Sequence, residues 1–453
     1  MSQAPRADRP GDGTARTGWS SARYRFDTSA VGQRLHQTAR LLRHEGARGV
    51  AARGLRRLSE RVAPPSQMLN VFTDDVIAAA EVLGDAGGAA GDGRPSPFPG
   101  PLPALPGEPL SVAWVMSPPA EGSGGHTTIF RMLGALEQAG HRCTIYLYDR
   151  WGGTLAHHRD VLRRWWPWVQ ADVRDITDGI DDAHAIVATA WPTAYAVAAS
   201  PAKGVRFYFV QDIEPWFEPA GGEALLAEAT YRFGFHGITA GRWLAGKLQS
   251  DYGMPADHFD FGCDLDTYRL AGPADAPERT GVCFFARPKT PRRAFDLGAL
   301  ALEIFSARCP EVEIHLFGER VGRVGFPAVD HGVMTPSELA ALYGRCRAGM
   351  VLSATNVSLV PHEMLAAGCI PVVNDAEHNR VVLDNEQIEY APATPHDLAV
   401  ALERLVLRSP AETRTAAVEA AASVRGRSWD EAGVAVERAV RRVVEQRWGE
   451  GST

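Results

Sequence analysis

Short apolar runs alternate with helix-period stretches from Ser111 onward. Runs at 111–117 (SVAWVMS), 143–148 (CTIYLY), 184–189 (HAIVAT), 205–210 (VRFYFV) and 235–239 (FHGIT) predict strands buried on both faces, as in a parallel sheet. Helical spacing fills 126–138, 192–199, 221–232 and 241–252 between them. A second set begins at Val282, with strands expected at 282–286, 312–317, 348–352, 370–373 and 388–391. Its helices are expected at 293–308, 335–346, 360–367, 394–407 and along the tail 411–447. The stretch 264–280 carries Gly, Pro and Asp and reads as a hinge between the two sets. The fold class this predicts is α/β: two facing, doubly wound Rossmann-like domains, with loops from the strands' carboxyl ends gathered at an interdomain cleft.

The first hundred residues follow another pattern. Residues 1–31 are polar and rich in Gly, Ala and Arg, a composition expected to stay disordered. Residues 33–61 hold eight arginines against two glutamates, with Leu35, Ala39 and Leu42 on one helical face. Such a basic amphipathic helix suits peripheral contact with an anionic membrane, or equally a solvated face resting on the main body. Residues 84–109 are dense in Gly and Pro and read as a linker, so a partly disordered arm is expected before the folded body.

Composition narrows the function. The chain has 453 residues, with 47 Lys+Arg against 54 Asp+Glu and a net charge of −7, which argues against a nucleic-acid-gripping basic face. Its six cysteines form no C-x-x-C pair, so neither a zinc module nor a disulfide framework is indicated. No run reaches the ~18 apolar residues of a membrane span. Residues 1–21 lack the apolar segment of a secretory signal, and a cytoplasmic enzyme is the expectation.

Three stretches carry candidate chemistry. Glu121-Gly-Ser-Gly-Gly-His-Thr-Thr128 follows the first strand and opens a helix, where Gly124 and Gly125 let a ligand approach the backbone. It departs from the dinucleotide fingerprint at Thr127, and a plain tight turn fits as well as a ligand loop. Arg287-Pro-Lys-Thr-Pro-Arg-Arg293 follows strand 282–286 and concentrates Arg287, Arg292 and Arg293 at a cleft-facing strand end. Guanidinium forks match the oxygens of a diphosphate. Third, Glu363 lies in the first turns of a helix among apolar residues, where a carboxylate can accept both hydroxyl protons of a ribose. The amides of Ser358 and Leu359 precede that helix and suit phosphate oxygens. Asp264-Leu-Asp266 has D-x-D spacing but stands in the hinge, and the 14 histidines show no metal-ligand spacing, so no metal is expected.

Together these residues resemble a GT-B glycosyltransferase of the retaining family-four type, and within it the WsaF-type rhamnosyltransferases. The resemblance rests on GSGGHTTIFRML (122–133), YFVQDIEPWF (208–217), GITAGRWLAGKL (237–248), FFARPKTPRRAFDLG (284–298) and PHEMLAAGCIPVV (361–373). It covers roughly 111–447. After the arm and linker at 1–109, which composition marks out, it implies an acceptor domain at 110–263, a donor domain at 264–428 and a tail at 429–453 that crosses back to the first domain.

By this resemblance Gly124 and Gly125 approach the donor, and Arg287 with Arg292 or Arg293 binds its diphosphate. Glu363 matches the second acid of the family's E-x7-E motif and holds the ribose. The first acid falls on Thr355, a departure that leaves the sugar-side contact to Asn356 and Ser358. Gly318 and Val333 lie in loops where GT-B enzymes seat the base. Asp212 and Glu214 are candidates to orient the acceptor or stabilise positive charge, and His126 to touch the reacting sugar. Each could instead cap a helix or pair with an arginine. The implied reaction moves a sugar, with dTDP-L-rhamnose the favoured donor, to a glycan or lipid-linked glycan hydroxyl with retention and without a cofactor. A non-catalytic nucleotide-sugar binder and a nucleotide-sugar epimerase are the rival readings.

Overall fold

A computed structural model describes residues 69–84, 96–272, 278–357 and 359–451. The expected basic helix at 33–61 and the candidate Ser358 lie outside the described residues.

The first sheet comprises β1 (Ser111–Met116), β2 (Arg142–Leu147), β3 (Asp172–Asp175), β4 (Ala185–Ala188), β5 (Val205–Val210), β6 (His236–Ala240) and β7 (Ala256–Phe259). Its order is β3-β2-β1-β4-β5-β6-β7, with every pairing parallel. The second comprises β8 (Gly281–Ala286), β9 (Ile314–Gly318), β10 (Val329–Gly332), β11 (Cys346–Val351), β12 (Ile370–Asn374) and β13 (Glu389–Ala391). These run parallel in the order β10-β9-β8-β11-β12-β13.

Central strands are apolar on both faces because helices cover both. In the first domain Trp114, Phe207, Phe209 and Phe259 are buried, with Phe209 stacked on Phe259 at 5.4 Å. Truncating such a ring to alanine costs about 3–5 kcal/mol. In the second, Gly349 lets helix Val360–Ala366 pack down on β11: a Cβ there would lie 2.6 Å from the Met364 sulfur.

The winding order of the strands reverses at β1 and at β8. The chain winds outward from β1 through β2 to β3, then returns to β4 on the other side, and β8, β9, β10 and β11 repeat the pattern. Crevices outside the carboxyl ends open at these switch points. The glycine turn follows β1 and the arginine turn follows β8, so the topology places both candidate loops there.

Several elements had no counterpart in the sequence pattern. Helix Thr73–Leu83 packs on helix Trp191–Ala199, with Tyr148 Oη donating to Asp75 at 2.8 Å. The latter half of the Gly/Pro-rich linker is anchored rather than loose: Ala104 is buried and the Phe98 ring meets Phe235 at 5.4 Å. The expected single tail helix 411–447 is two, Pro410–Ser423 and Trp429–Gly451, broken around Gly426. The first packs on helix Val360–Ala366 and the second returns to helix Gly124–Gln138 and β7. Gly433 allows that return, because a Cβ there would meet Ala135 Cβ at 2.5 Å.

Candidate functional site

Asp212 stands just past β5 and is 8% exposed. Its Oδ1 accepts from the Ile213 amide at 2.8 Å and from the Asn356 amide at 2.7 Å. Its Oδ2 accepts from Thr355 Oγ1 at 3.0 Å and lies 3.4 Å from Arg292 Nε. Three of these partners belong to the second domain, so this carboxylate ties the domains together. Asn356 completes the tie: its Nδ2 donates to the carbonyls of Gln211 at 2.8 Å and Ala240 at 2.9 Å. The Asn356 side chain is fully buried and therefore faces domain 1 rather than open cleft.

The arginine turn is folded onto this tie. Arg293 Nη1 donates to Ser353 Oγ at 2.8 Å and to the Asn356 carbonyl at 3.2 Å, and burial lowers its pKa to about 10. Asp212 raises that value, while Arg292 and Arg287 lower it further, as expected for three like charges sharing one turn. Arg292 lies 4.1 Å from the Phe217 ring centroid. Arg287 Nε donates to Glu319 at 2.8 Å with 38% of its side chain still exposed. Arg293 is thus a scaffold for the 353–356 loop, whereas Arg292 and Arg287 keep access to the cleft. Ala294, the residue after them, holds φ 46°, a left-handed conformation unusual for a side-chain-bearing residue, which turns the chain sharply into helix Phe295–Arg308.

Across the cleft, Ser123 caps helix Gly124–Gln138 by accepting from the His126 amide. No hydrogen bond within the described residues reaches the amides of Gly124 and Gly125, two of the orphan donors of a helix start. A Cβ on Gly124 would meet nothing within 4 Å, and one on Gly125 only the Gln211 side chain at 3.7 Å. Protein packing does not require glycine here. His126, by contrast, is turned inward: Nδ1 lies 2.9 Å from Ser123 Oγ and Nε2 3.1 Å from the Ser117 carbonyl. Burial lowers its pKa and favours the neutral ring.

Glu363 lies in helix Val360–Ala366, and no hydrogen bond or ion pair within the described residues reaches its carboxylate. Burial pushes its pKa up to about 7, Arg131 draws it down and Asp264 raises it again. Arg131 belongs to the first-domain helix, 4.9 Å over the Trp429 ring and 4.0 Å from Asp264. Asp264 in turn holds the Thr267 hydroxyl at 3.1 Å, so the D-x-D spacing serves a turn. Arg131 was not singled out in the sequence, although it stands seven residues after Gly124 and so on the same helix face.

Among the described residues none of the remaining candidates hydrogen-bonds to Asp212. Glu214 is enclosed in the first domain, accepting from the Trp191 amide at 2.7 Å and Tyr208 Oη at 2.9 Å. Burial pushes its pKa up to about 7. Gly318 (φ 111°) ends β9 with the Ala286 carbonyl 3.0 Å from where a Cβ would be. Val333 is 77% exposed beyond β10, and Leu359 precedes the Glu363 helix. Among the described residues no group of three or more His, Cys, Asp or Glu is placed to hold a metal ion. No described helix is long and apolar enough to cross a membrane.

Comparison with known proteins bears on the fold and on the second domain. Residues 280–403 match the family model of the WsaF C-terminal domain. The O-antigen biosynthesis protein RfbC of Myxococcus xanthus is 34% identical over 253 residues, 54% of this chain but only 20% of that relative. Sucrose-phosphate synthase from Thermosynechococcus elongatus superposes with TM-score 0.57 at 15% identity, covering 74% of this chain and 99% of that one. Anabaena HepE, solved with UDP-glucose, gives 0.56 at 14% identity, covering 74% and 100%. The fold is GT-B, and residues 280–403 are similar to the WsaF C-terminal domain.

Proposed function

We propose, from a GT-B fold in which residues 280–403 are similar to the WsaF C-terminal domain, that this protein transfers a sugar from a nucleoside diphosphate donor to a hydroxyl of a glycan or lipid-linked glycan. The observation that carries the reading is the meeting of the arginine turn, the unpaired Gly124 and Gly125 amides and the Asp212 carboxylate where both sheets reverse their strand order. Arg287 and Arg292 bind the diphosphate, and Glu363 accepts from the ribose hydroxyls. The name of the Myxococcus relative supports a role in O-antigen-like polysaccharide assembly, and the HepE complex supports a nucleotide-sugar donor. The donor of choice is dTDP-L-rhamnose. Contact of residues 33–61 with an anionic membrane belongs to the same proposal.

The bond from the sugar's anomeric carbon to the diphosphate oxygen breaks as the acceptor oxygen attacks from the same face. The acceptor proton passes to the departing phosphate oxygen, and configuration is retained. Cations and amides fixed on the leaving group stabilise its growing negative charge without reorganising. Thr355 stands where the family carries an acid, and Asp212, 3.0 Å from its hydroxyl, brings a carboxylate to that position from the other domain. Its acceptor sites are filled by the 355–356 loop and Arg292, so Asp212 positions rather than attacks.

Arg287→Ala and Glu363→Ala are each expected to lower transfer by about a hundredfold with the fold intact. Near-wild-type turnover of either purified variant would overturn the donor-site reading. Change of the donor sugar without acceptor would identify an epimerase instead, and nucleotide-sugar binding without turnover a non-catalytic binder.

A further inference from the structure

A cavity of about 810 Å³ opens away from the cleft, between the 265–272 hinge and helix Pro410–Ser423. Two of its wall residues fix its place: Arg279 stands two residues before β8 and Arg347 near the start of β11. It therefore lies at the strands' amino ends, whereas Arg287 stands at the carboxyl end of β8.

Its walls are of two kinds. Leu265, Leu270, Ala366, Ala417 and Val418 give an apolar lining, and Val418 is 54% exposed. Five arginines also line it. Arg279 donates to the carbonyls of Tyr343, Cys346 and Ala367, and Arg347 to those of Arg279, Val406 and Arg408, so both hold backbone. Arg269, Arg414 and Arg425 make no side-chain hydrogen bond or ion pair among the described residues. Among the described residues Glu278 is the one acid in the wall, and the buried Thr413 hydroxyl has no hydrogen-bond partner.

An apolar lining beside three unpaired guanidinium groups is complementary to a molecule with a hydrocarbon body and an anionic head. The volume lies within the roughly 300–1,000 Å³ of small-molecule sites. We infer that this cavity binds a small amphiphilic phosphate, the alkyl or isoprenyl part against Leu265, Leu270 and Val418 and the phosphate between Arg414, Arg425 and Arg269. Guanidinium groups favour phosphate because each offers two parallel donors to its oxygens.

The probe is octyl phosphate, titrated calorimetrically into the full chain below its micellar concentration, without donor or acceptor. Saturable binding at one site is expected. Inorganic phosphate, which lacks the tail, and octyl glucoside, which lacks the charge, should each bind at least about tenfold more weakly. Arg414→Glu with Arg425→Glu, both exposed and unpaired, should weaken octyl phosphate by at least about tenfold while circular dichroism and melting stay unchanged. Val418→Glu should do the same from the apolar side. Octanoate separates the head groups, and tighter binding of octanoate than of octyl phosphate would overturn the assignment to a phosphate. Absence of saturable binding, equal binding of inorganic phosphate, or indifference to the charge reversals would overturn the site.

Discussion

Asp212→Ala probes the tie between the domains. The substitution removes the acceptor of the Asn356 amide (2.7 Å) and of Thr355 Oγ1 (3.0 Å), both buried. A hydrogen bond to a charged group contributes about 1.5–3 kcal/mol. The amide cannot turn to another acceptor and takes the upper figure; the hydroxyl can rotate and takes much less. Arg292 loses an oxygen at 3.4 Å but keeps its seat on Phe217. The local loss is then about 3 kcal/mol. At about 1.4 kcal/mol per tenfold, the opened population of the 353–357 loop rises roughly a hundredfold. Hydrogen–deuterium exchange of peptides spanning that loop reads this population. Asp212→Asn retains an oxygen for the Asn356 amide and is expected to accelerate exchange by no more than about tenfold. Loop exchange in the alanine variant within about threefold of wild type would refute the tie.

Glu363 gives a pH prediction. With its pKa pushed up to about 7, the carboxylate proposed to accept from the ribose forms only as pH rises through neutrality, so donor affinity should increase from pH 6 to 8. Glu363→Gln should bind donor more weakly and without that slope, as calorimetry would show. Glu214 gives a stability prediction: with a folded pKa of about 7 against 4.5, it favours folding below about pH 4.5 and loses that contribution as pH climbs through 7. The change is of order 3 kcal/mol, and Glu214→Gln should flatten it in urea melts across that window. Gly124→Ala meets no protein atom within 4 Å, so melting should be unaltered while transfer falls at least about tenfold; a destabilised variant with normal turnover would reverse that assignment.

The parts of the fold written plainly in the sequence are those whose neighbours are apolar on both sides. β5 (VRFYFV) and β8 (GVCFFA) sit inside their sheets and announce themselves. β3 (DVRD), β7 (ADHF) and β10 (VDHG) are edge strands, short and polar because solvent covers one side, and their pattern resembles loop. Helix Leu155–Trp165 was missed for a similar reason, since it buries only His158, Val161 and Leu162. At the site, the arginine turn and Glu363 could be found by their position after strands. The bonds from Asp212 to Thr355 and Asn356 span more than 140 residues, so no local pattern could show them. Nor could local pattern show that Arg293 and Asn356 are enclosed while Arg287 and Arg292 face the cleft: that depends on how the loop after β11 folds back against the first domain.

Transfer itself is tested most directly by incubating the full chain with a panel of nucleotide sugars and lipid-linked glycan acceptors, following nucleoside diphosphate release and the product's anomeric proton by NMR. Acceptor-dependent release, fastest with dTDP-L-rhamnose and giving a glycoside with the donor's anomeric configuration, is the predicted result. Absence of release with every donor, or a sugar altered without acceptor, would contradict it.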